Sequence, residues 1–294
     1  MKLCEIVQMW IERFNAADVA GLRETRPLPP RMSLSLLICL WVSTTVVWCN
    51  AEESRKWEGL TVYGVMHEAI GKGQHQGRVH LSEITGKPHF YGVGALEELL
   101  GEITILDSAA VTTAVTQEGR PQAIVNPAAK ATLMVGQSVA QWREFTLKEE
   151  ISWERFDQAI GTMATTQGVN ISKPFVFVVE GEFQDVRLHV INGACPLHAR
   201  MRKLEIQRKK RPFEFEATRL SGTLVGIHAV DAVGKLTHPG TTTHAHLIFL
   251  DETTGERVTG HLEQVGLIAG AVVRLPDDGE QDGPVDRSEP SPLE

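Results

Sequence analysis

TTTHAHLIFLDETTGERVTGHLEQVGL, residues Thr241–Leu267, is the stretch on which the reading of this chain turns. Its first arm is rich in β-branched and aromatic residues, Asp251 to Gly255 supplies turn chemistry, and alternation resumes at Val258, so the stretch predicts a β-hairpin. Side chains two apart on a strand share a face, which turns His244 and His246 the same way. If Asp251 and Glu256 close a four-residue loop, the antiparallel ladder sets His246 opposite His261, with side-chain roots about 5 Å apart. Three imidazoles then converge on one sheet face. Such a donor set suits a first-row divalent ion and leaves a coordination position open. Gly260, just before the third histidine, lets another backbone come close. Register decides the matter, because a slip of one residue turns His261 to the opposite face.

Working outward, 294 residues with 42% hydrophobic content can bury a full core as one large domain or two small ones. A net charge of −8 argues against nucleic acid as a partner. Residues 1–31 differ from the rest of the chain: Ile6, Trp10, Ile11 and Phe14 have helical spacing before a Pro-rich break, and the segment reads as an extension outside the main domain. Residues 32–51 contain the long apolar run Leu34–Cys49, short for a membrane span and followed by Asn50-Ala51-Glu52. That pattern is like a signal peptide, and the expectation is an exported protein, periplasmic or secreted; without a signal there the protein is cytoplasmic. The main domain is read as 52–275, with an N-terminal half at about 60–170 and a C-terminal half at about 171–275, and the tail 276–294 has too little apolar content to fold. Of four cysteines only Cys195 falls in that domain, so no internal disulfide is expected there.

Within the domain the pattern mixes helix and strand. Val62–Ile70 reads as a short helix ending at Gly71-Lys72-Gly73, and Val79–Ile84, Ala131–Val135 and Phe145–Leu147 read as strands. Ser152–Thr166 is the strongest helix, with Ser152 as its cap and Trp153, Phe156, Ile160 and Met163 as its core stripe. Phe175–Ile191 and Leu220–Ala229 are further strands, the second leading into the histidine hairpin, and basic Arg200–Arg211 is a solvated face. In Tyr91–Asp107, Gly92, Gly94 and Gly101 punctuate, and Glu102, Thr104 and Leu106 share one face of a strand. A carboxylate heading an apolar strand is costly if buried unpaired, so Glu102 is expected to be exposed, salt-bridged or at work near a metal. The fold class is α/β (mixed α+β): two sheet-containing halves packed together, with a three-histidine metal site on a C-terminal β-hairpin.

These blocks fall in a telling order. YGVGALEELLGEITILD (Tyr91–Asp107), VEGEF (Val179–Phe183), GTLVG (Gly222–Gly226), His244-Ala-His246 and Gly260-His261-Leu262 together resemble the α-acetolactate decarboxylase family over Thr61–Leu275. The resemblance implies a zinc site between two α/β halves and conversion of 2-acetolactate, a 2-hydroxy-3-oxo acid, to acetoin and carbon dioxide. It also places the zinc ligands on His244, His246 and His261 and the family's glutamate on Glu102. The family's arginine falls on His189, which takes its role toward the substrate carboxylate, or as proton donor, only when protonated. Glu102 and His189 are thus the expected catalytic pair, with Glu102 as proton relay. The family's G-x-G-T-F threonine is Ala95 here and its late glutamate has no counterpart, so the chain is a divergent member whose substrate is a related 2-hydroxy-3-oxo acid if not 2-acetolactate itself. Three imidazoles also hold iron, manganese, nickel or copper, so the expected cofactor is zinc or another divalent first-row metal. A monomer or homodimer is expected.

Two other classes share part of the pattern. The plants-and-prokaryotes-conserved (PPC) domain, a non-catalytic metal-binding and oligomerisation module, has a similar His-x-His and Gly-His-Leu arrangement but leaves Tyr91–Asp107 and Val179–Phe183 without a role. A cupin would place Asp251 or Glu252 after the histidine pair, but its preceding glycine is misplaced and its second motif is missing.

Overall fold

The computed structural model describes residue 57 and residues 59–277. The expected N-terminal helix, the apolar run Leu34–Cys49 and residues 278–294 lie outside them. Among the described residues no helix is long and apolar enough to cross a membrane.

Two antiparallel sheets carry the structure. The first contains β1 (Thr61–Tyr63), β2 (Val79–His80), β3 (Phe90–Leu96), β4 (Glu102–Leu106), β5 (Ala109–Val115), β6 (Pro121–Ala123) and β7 (Lys130–Ser138), in the order β1-β7-β3-β4-β5-β6 with β2 also on β7. The second contains β8 (Trp142–Thr146), β9 (Phe175–Val190), β10 (Phe213–His228), β11 (Thr243–Leu250), β12 (Arg257–Leu267) and β13 (Val272–Pro276). Within it β9 pairs with β10, β10 with β11, β11 with β12, and β12 back onto β9, so these four strands close on themselves. Phe177, Phe183, Leu188, Leu224 and Leu247 fill the core of this sheet, while Phe90, Ile103, Ile105 and Met134 fill that of the first.

Helices are few: α1 (Leu81–Thr85), α2 (Phe156–Thr166) and α3 (Pro196–Arg202), with short 3-10 and π-helical turns. Several local expectations change. Val62 and Tyr63 are strand rather than helix, because they add an edge to β7; only His67–Gly71 makes a helical turn. Val79–Ile84 is a strand for two residues and then turns into α1, where Glu83 accepts a hydrogen bond from the His80 amide and so caps the helix. Ser152 makes no side-chain cap, and Trp153, in a 3-10 turn before α2, is 43% exposed instead of in the core stripe with Phe156 and Ile160. Gly92 and Gly94 do not punctuate; they sit inside β3. At Gly94 a Cβ would lie 2.0 Å from the Leu133 carbonyl oxygen, so the close approach of β3 to β7 requires glycine. The described chain runs on past the expected boundary at 276: Pro276 ends β13 and Asp277 pairs with Arg143 at 2.9 Å.

Candidate metal centre

β11 and β12 are antiparallel, with the Asp251 amide donating to the Glu256 carbonyl at 2.9 Å and His246 directly opposite His261. β12 in turn places His261 opposite His189 of β9. His246, His261 and His189 therefore form a row across three adjacent strands, and His244 stands two residues from His246 on the same face. Gly260 permits this packing, since a Cβ there would stand 2.7 Å from Leu188 Cδ1. All four rings are buried.

The ligating atoms of His244, His246 and His261 lie within 4.8 Å of one another, and the Nε2 atoms of His244 and His246 are 3.3 Å apart. Two imidazole nitrogens each 2.0–2.1 Å from one tetrahedral ion are separated by about 3.3 Å, so this pair fits a metal. The opposite ring nitrogens are already engaged. His244 Nδ1 is 3.1 Å from the Leu236 carbonyl oxygen and His246 Nδ1 is 3.3 Å from Thr104 Oγ1. Such partners orient a ring and leave its other nitrogen for the ion. Thr104 Oγ1 also meets Thr259 Oγ1 at 2.6 Å, and the Thr259 amide donates to Thr113 Oγ1 at 2.8 Å. The first sheet thus pins the histidine strands from the outside.

Glu102 comes from that first sheet. It is 3% exposed, its Oε1 accepts from the Ile191 amide at 3.1 Å, and its Oε2 lies 3.7 Å from His246 Nε2. Burial pushes its pKa up to about 8 against the weaker opposing pull of the Ile191 hydrogen bond. Burial acts on the imidazoles in the opposite sense, lowering His244 to about 4 and His246 and His261 well below the usual range. Without an ion the contact between Glu102 and His246 joins two neutral groups. A divalent cation among them would draw the carboxyl back toward its charged form.

Three residues that the sequence did not place at the site complete the surroundings. Glu263 sits at a bulge in β12, between Leu262 and Gln264, and its Oε1 is 2.8 Å from His189 Nδ1. It also takes hydrogen bonds or ion pairs from Arg200 and, at 3.3 Å, from Arg187. Burial would raise Glu263, but the bonds from His189 and Arg200 outweigh it and hold the carboxyl at about 2. Arg200, expected on a solvated face, therefore has a structural task. His238, which no spacing marked out, brings its ring centroid to 4.8 Å from that of His261. Cys195 is buried on the wall of the same small cavity, with its thiol raised to about 11 by burial. That cavity, of about 30 Å³, is lined by Ala95, Glu102, His189, His238, His244 and His261 among others. The sequence had signalled His244, His246, His261, Glu102 and His189 in advance, but not Glu263, His238 or Arg200 as their neighbours.

Two packed antiparallel sheets with a buried three-histidine cluster between them define an α+β protein equipped to bind a metal ion. The chain belongs to the alpha-acetolactate decarboxylase family, whose model matches residues 62–275. The match spans the Tyr91–Asp107 and Val179–Phe183 blocks that the PPC alternative leaves aside. Among solved structures, alpha-acetolactate decarboxylase from Bacillus subtilis strain 168 is similar, at 17% identity and a TM-score of 0.54, covering 74% of this chain and 85% of that one. The enzyme from Bacillus subtilis subspecies spizizenii aligns with the same identity, TM-score and coverage. A Staphylococcus aureus protein of unknown function, described as similar to alpha-acetolactate decarboxylase, follows at 14% identity and a TM-score of 0.53, covering 74% and 84% of the two chains. At these identities the likeness establishes the fold. No curated protein matches the chain.

Proposed function

We propose that this protein is a metal-dependent decarboxylase of the acetolactate type, converting 2-acetolactate or a related 2-hydroxy-3-oxo acid to the hydroxyketone and carbon dioxide. The observation that carries the reading is the buried Glu102 carboxyl, 3.7 Å from Nε2 of His246 in a cluster of three imidazoles. His244, His246 and His261, on the β11–β12 hairpin, hold the ion, zinc being the first choice among first-row metals. When bound, that ion supplies Lewis-acid stabilisation of the negative charge left as carbon dioxide departs. Glu102, held by the Ile191 amide, delivers the proton that replaces the lost carboxylate on carbon. His189, fixed through Nδ1 by Glu263, faces the same cavity and orients the substrate carboxylate in the place of the family's arginine. The balance is simple: the carbon–carbon bond breaks, its electron pair stays on the substrate, and one proton is taken up.

On the same reading the chain divides into an extension at 1–31, an export segment at 32–51, the catalytic domain from 52 through Asp277 and a tail after it, with a periplasmic or secreted location.

Metal analysis of the purified protein followed by acetoin detection on 2-acetolactate tests the reading. His244→Ala should lower metal affinity by about 100-fold or more, taking one ligand's share of the roughly 10–16 kcal/mol that four ligands provide, and abolish turnover. Glu102→Gln keeps the shape and should retain metal while kcat falls about 10²- to 10⁴-fold. Bound metal unchanged in the first variant, or full turnover in the second, rejects the corresponding assignment.

A further inference from the structure

We infer that His238 is a fourth, exchangeable ligand that closes the metal centre at rest. The inference builds on the three-histidine site proposed above. Ring centroids of the three ligands lie 5.0–5.4 Å apart. The His238 ring centroid is 4.8 Å from that of His261 and 6.3 Å from that of His244, so its ring stands beside the three whose ligating atoms already cluster within 4.8 Å and must shift to join them. Closing that gap asks for a small movement of a loop residue.

The loop is suited to make it. Residues 229–242 connect β10 to β11 without strand structure of their own apart from a single bridge between Val233 and Thr237. The segment is pinned at its base, where the Met66 amide donates to the Lys235 carbonyl at 2.8 Å and Thr237 Oγ1 donates to the Thr241 carbonyl at 2.7 Å. Its Leu236 carbonyl is the partner of His244 Nδ1, so one loop both orients an established candidate ligand and carries His238 two residues further on. Pro239 and Gly240, the latter at φ +92°, turn the chain away directly after it. His189 is the rival fourth ligand, with its ring 4.9 Å from His261, but its Nδ1 is tied to Glu263 and its backbone is locked within β9.

Size explains why such a ligand must leave. A cavity of about 30 Å³ has room for roughly one water molecule, far less than a nine-heavy-atom hydroxyketo acid. His238 lines that cavity, so its withdrawal would widen the space beside the three ligands. With four nitrogen donors the resting centre has the closed character of a structural site, and it gains the open position of a catalytic one only when the loop withdraws.

Cobalt(II) titrated into the metal-free full-length protein tests this without any turnover. The wild type should bind one ion with the intense visible bands of a four-coordinate site. His238→Ala should bind about 100-fold more weakly and lose that intensity, added imidazole should restore both, and exposed His67→Ala should behave as wild type. Should His238→Ala fail to fold by circular dichroism, His238→Asn takes its place. Unchanged affinity and bands in the His238 variant overturn the inference and leave a three-histidine centre standing. Loss of the bands in His189→Ala in place of His238→Ala overturns it too. A wild type that binds no cobalt removes the underlying metal centre itself.

Discussion

His261 and Glu263 are two residues apart on β12, yet the first sits among groups that burial has pushed toward neutrality and the second is paired with two arginines. Around His261, the imidazoles are pushed down and Glu102 is pushed up, both toward the uncharged form, because nothing of opposite sign lies close enough to offset lost hydration. Around Glu263, whose arginine partners are half-exposed, bonds from His189, Arg200 and Arg187 keep the carboxylate ionised. The first cluster is wholly buried and has no hydrogen-bonded counter-charge; the second reaches the surface through its arginines and has one. The consequence is functional. The neutral cluster keeps lone pairs available for an ion, and the charged one is a bracket that fixes where His189 points.

Acid is the strongest test of that contrast. In the metal-free protein the folded-state pKa of His244 lies near 4, below its unfolded value, so its contribution to stability is present above about pH 6.5 and lost as pH falls toward 4. At pH 5 each histidine still neutral in the fold costs about 2 kcal/mol, and His238, held near 3 by burial, adds to the total. A melting profile should fall steeply between pH 7 and pH 5. A flat one would mean that the imidazoles are compensated after all.

Glu263→Gln probes the other side. Gln keeps an acceptor for His189 but removes the counter-charge of the half-exposed Arg200 and Arg187, and should cost about 1 kcal/mol, or roughly 2–4 °C in Tm for a domain of this size. Its pH signature is distinct from that of the imidazoles. A carboxyl depressed to about 2 contributes fully above pH 4.5 and loses its effect only as pH drops through 2, so the difference between wild type and variant should persist at pH 4.5. Equal melting temperatures would show that the bracket bears no weight.

The smallest effect is expected where the two sheets touch. Thr104→Val keeps volume and removes the hydroxyl that meets His246 Nδ1 and Thr259 Oγ1. Metal affinity measured against a competing chelator should fall about 10-fold with the fold intact. No change would assign the orientation of His246 to other contacts.

The pairing of His246 with His261 was legible in advance because strand geometry is local. Period-two alternation and a closing loop suffice to set His246 against His261, and both can be counted along 27 residues of text. The family blocks were legible for the same reason, as short segments in a fixed order. Trp153 and the glycines of β3 were misread because periodicity records which residues are apolar or small, and only packing decides which face is covered or which backbone lies close.

What the sequence determined by itself is the three-imidazole motif, the family, and the candidacy of Glu102 and His189. Tertiary structure alone decided the rest. Thr104 reaches His246 from 142 residues away, Glu102 meets it from another sheet, a bulge aims Glu263 at His189, and a loop hangs His238 over the centre. The physical reason is that side-chain direction along one strand follows from chemistry between neighbours, whereas the meeting of two sheets depends on the whole core that holds them together.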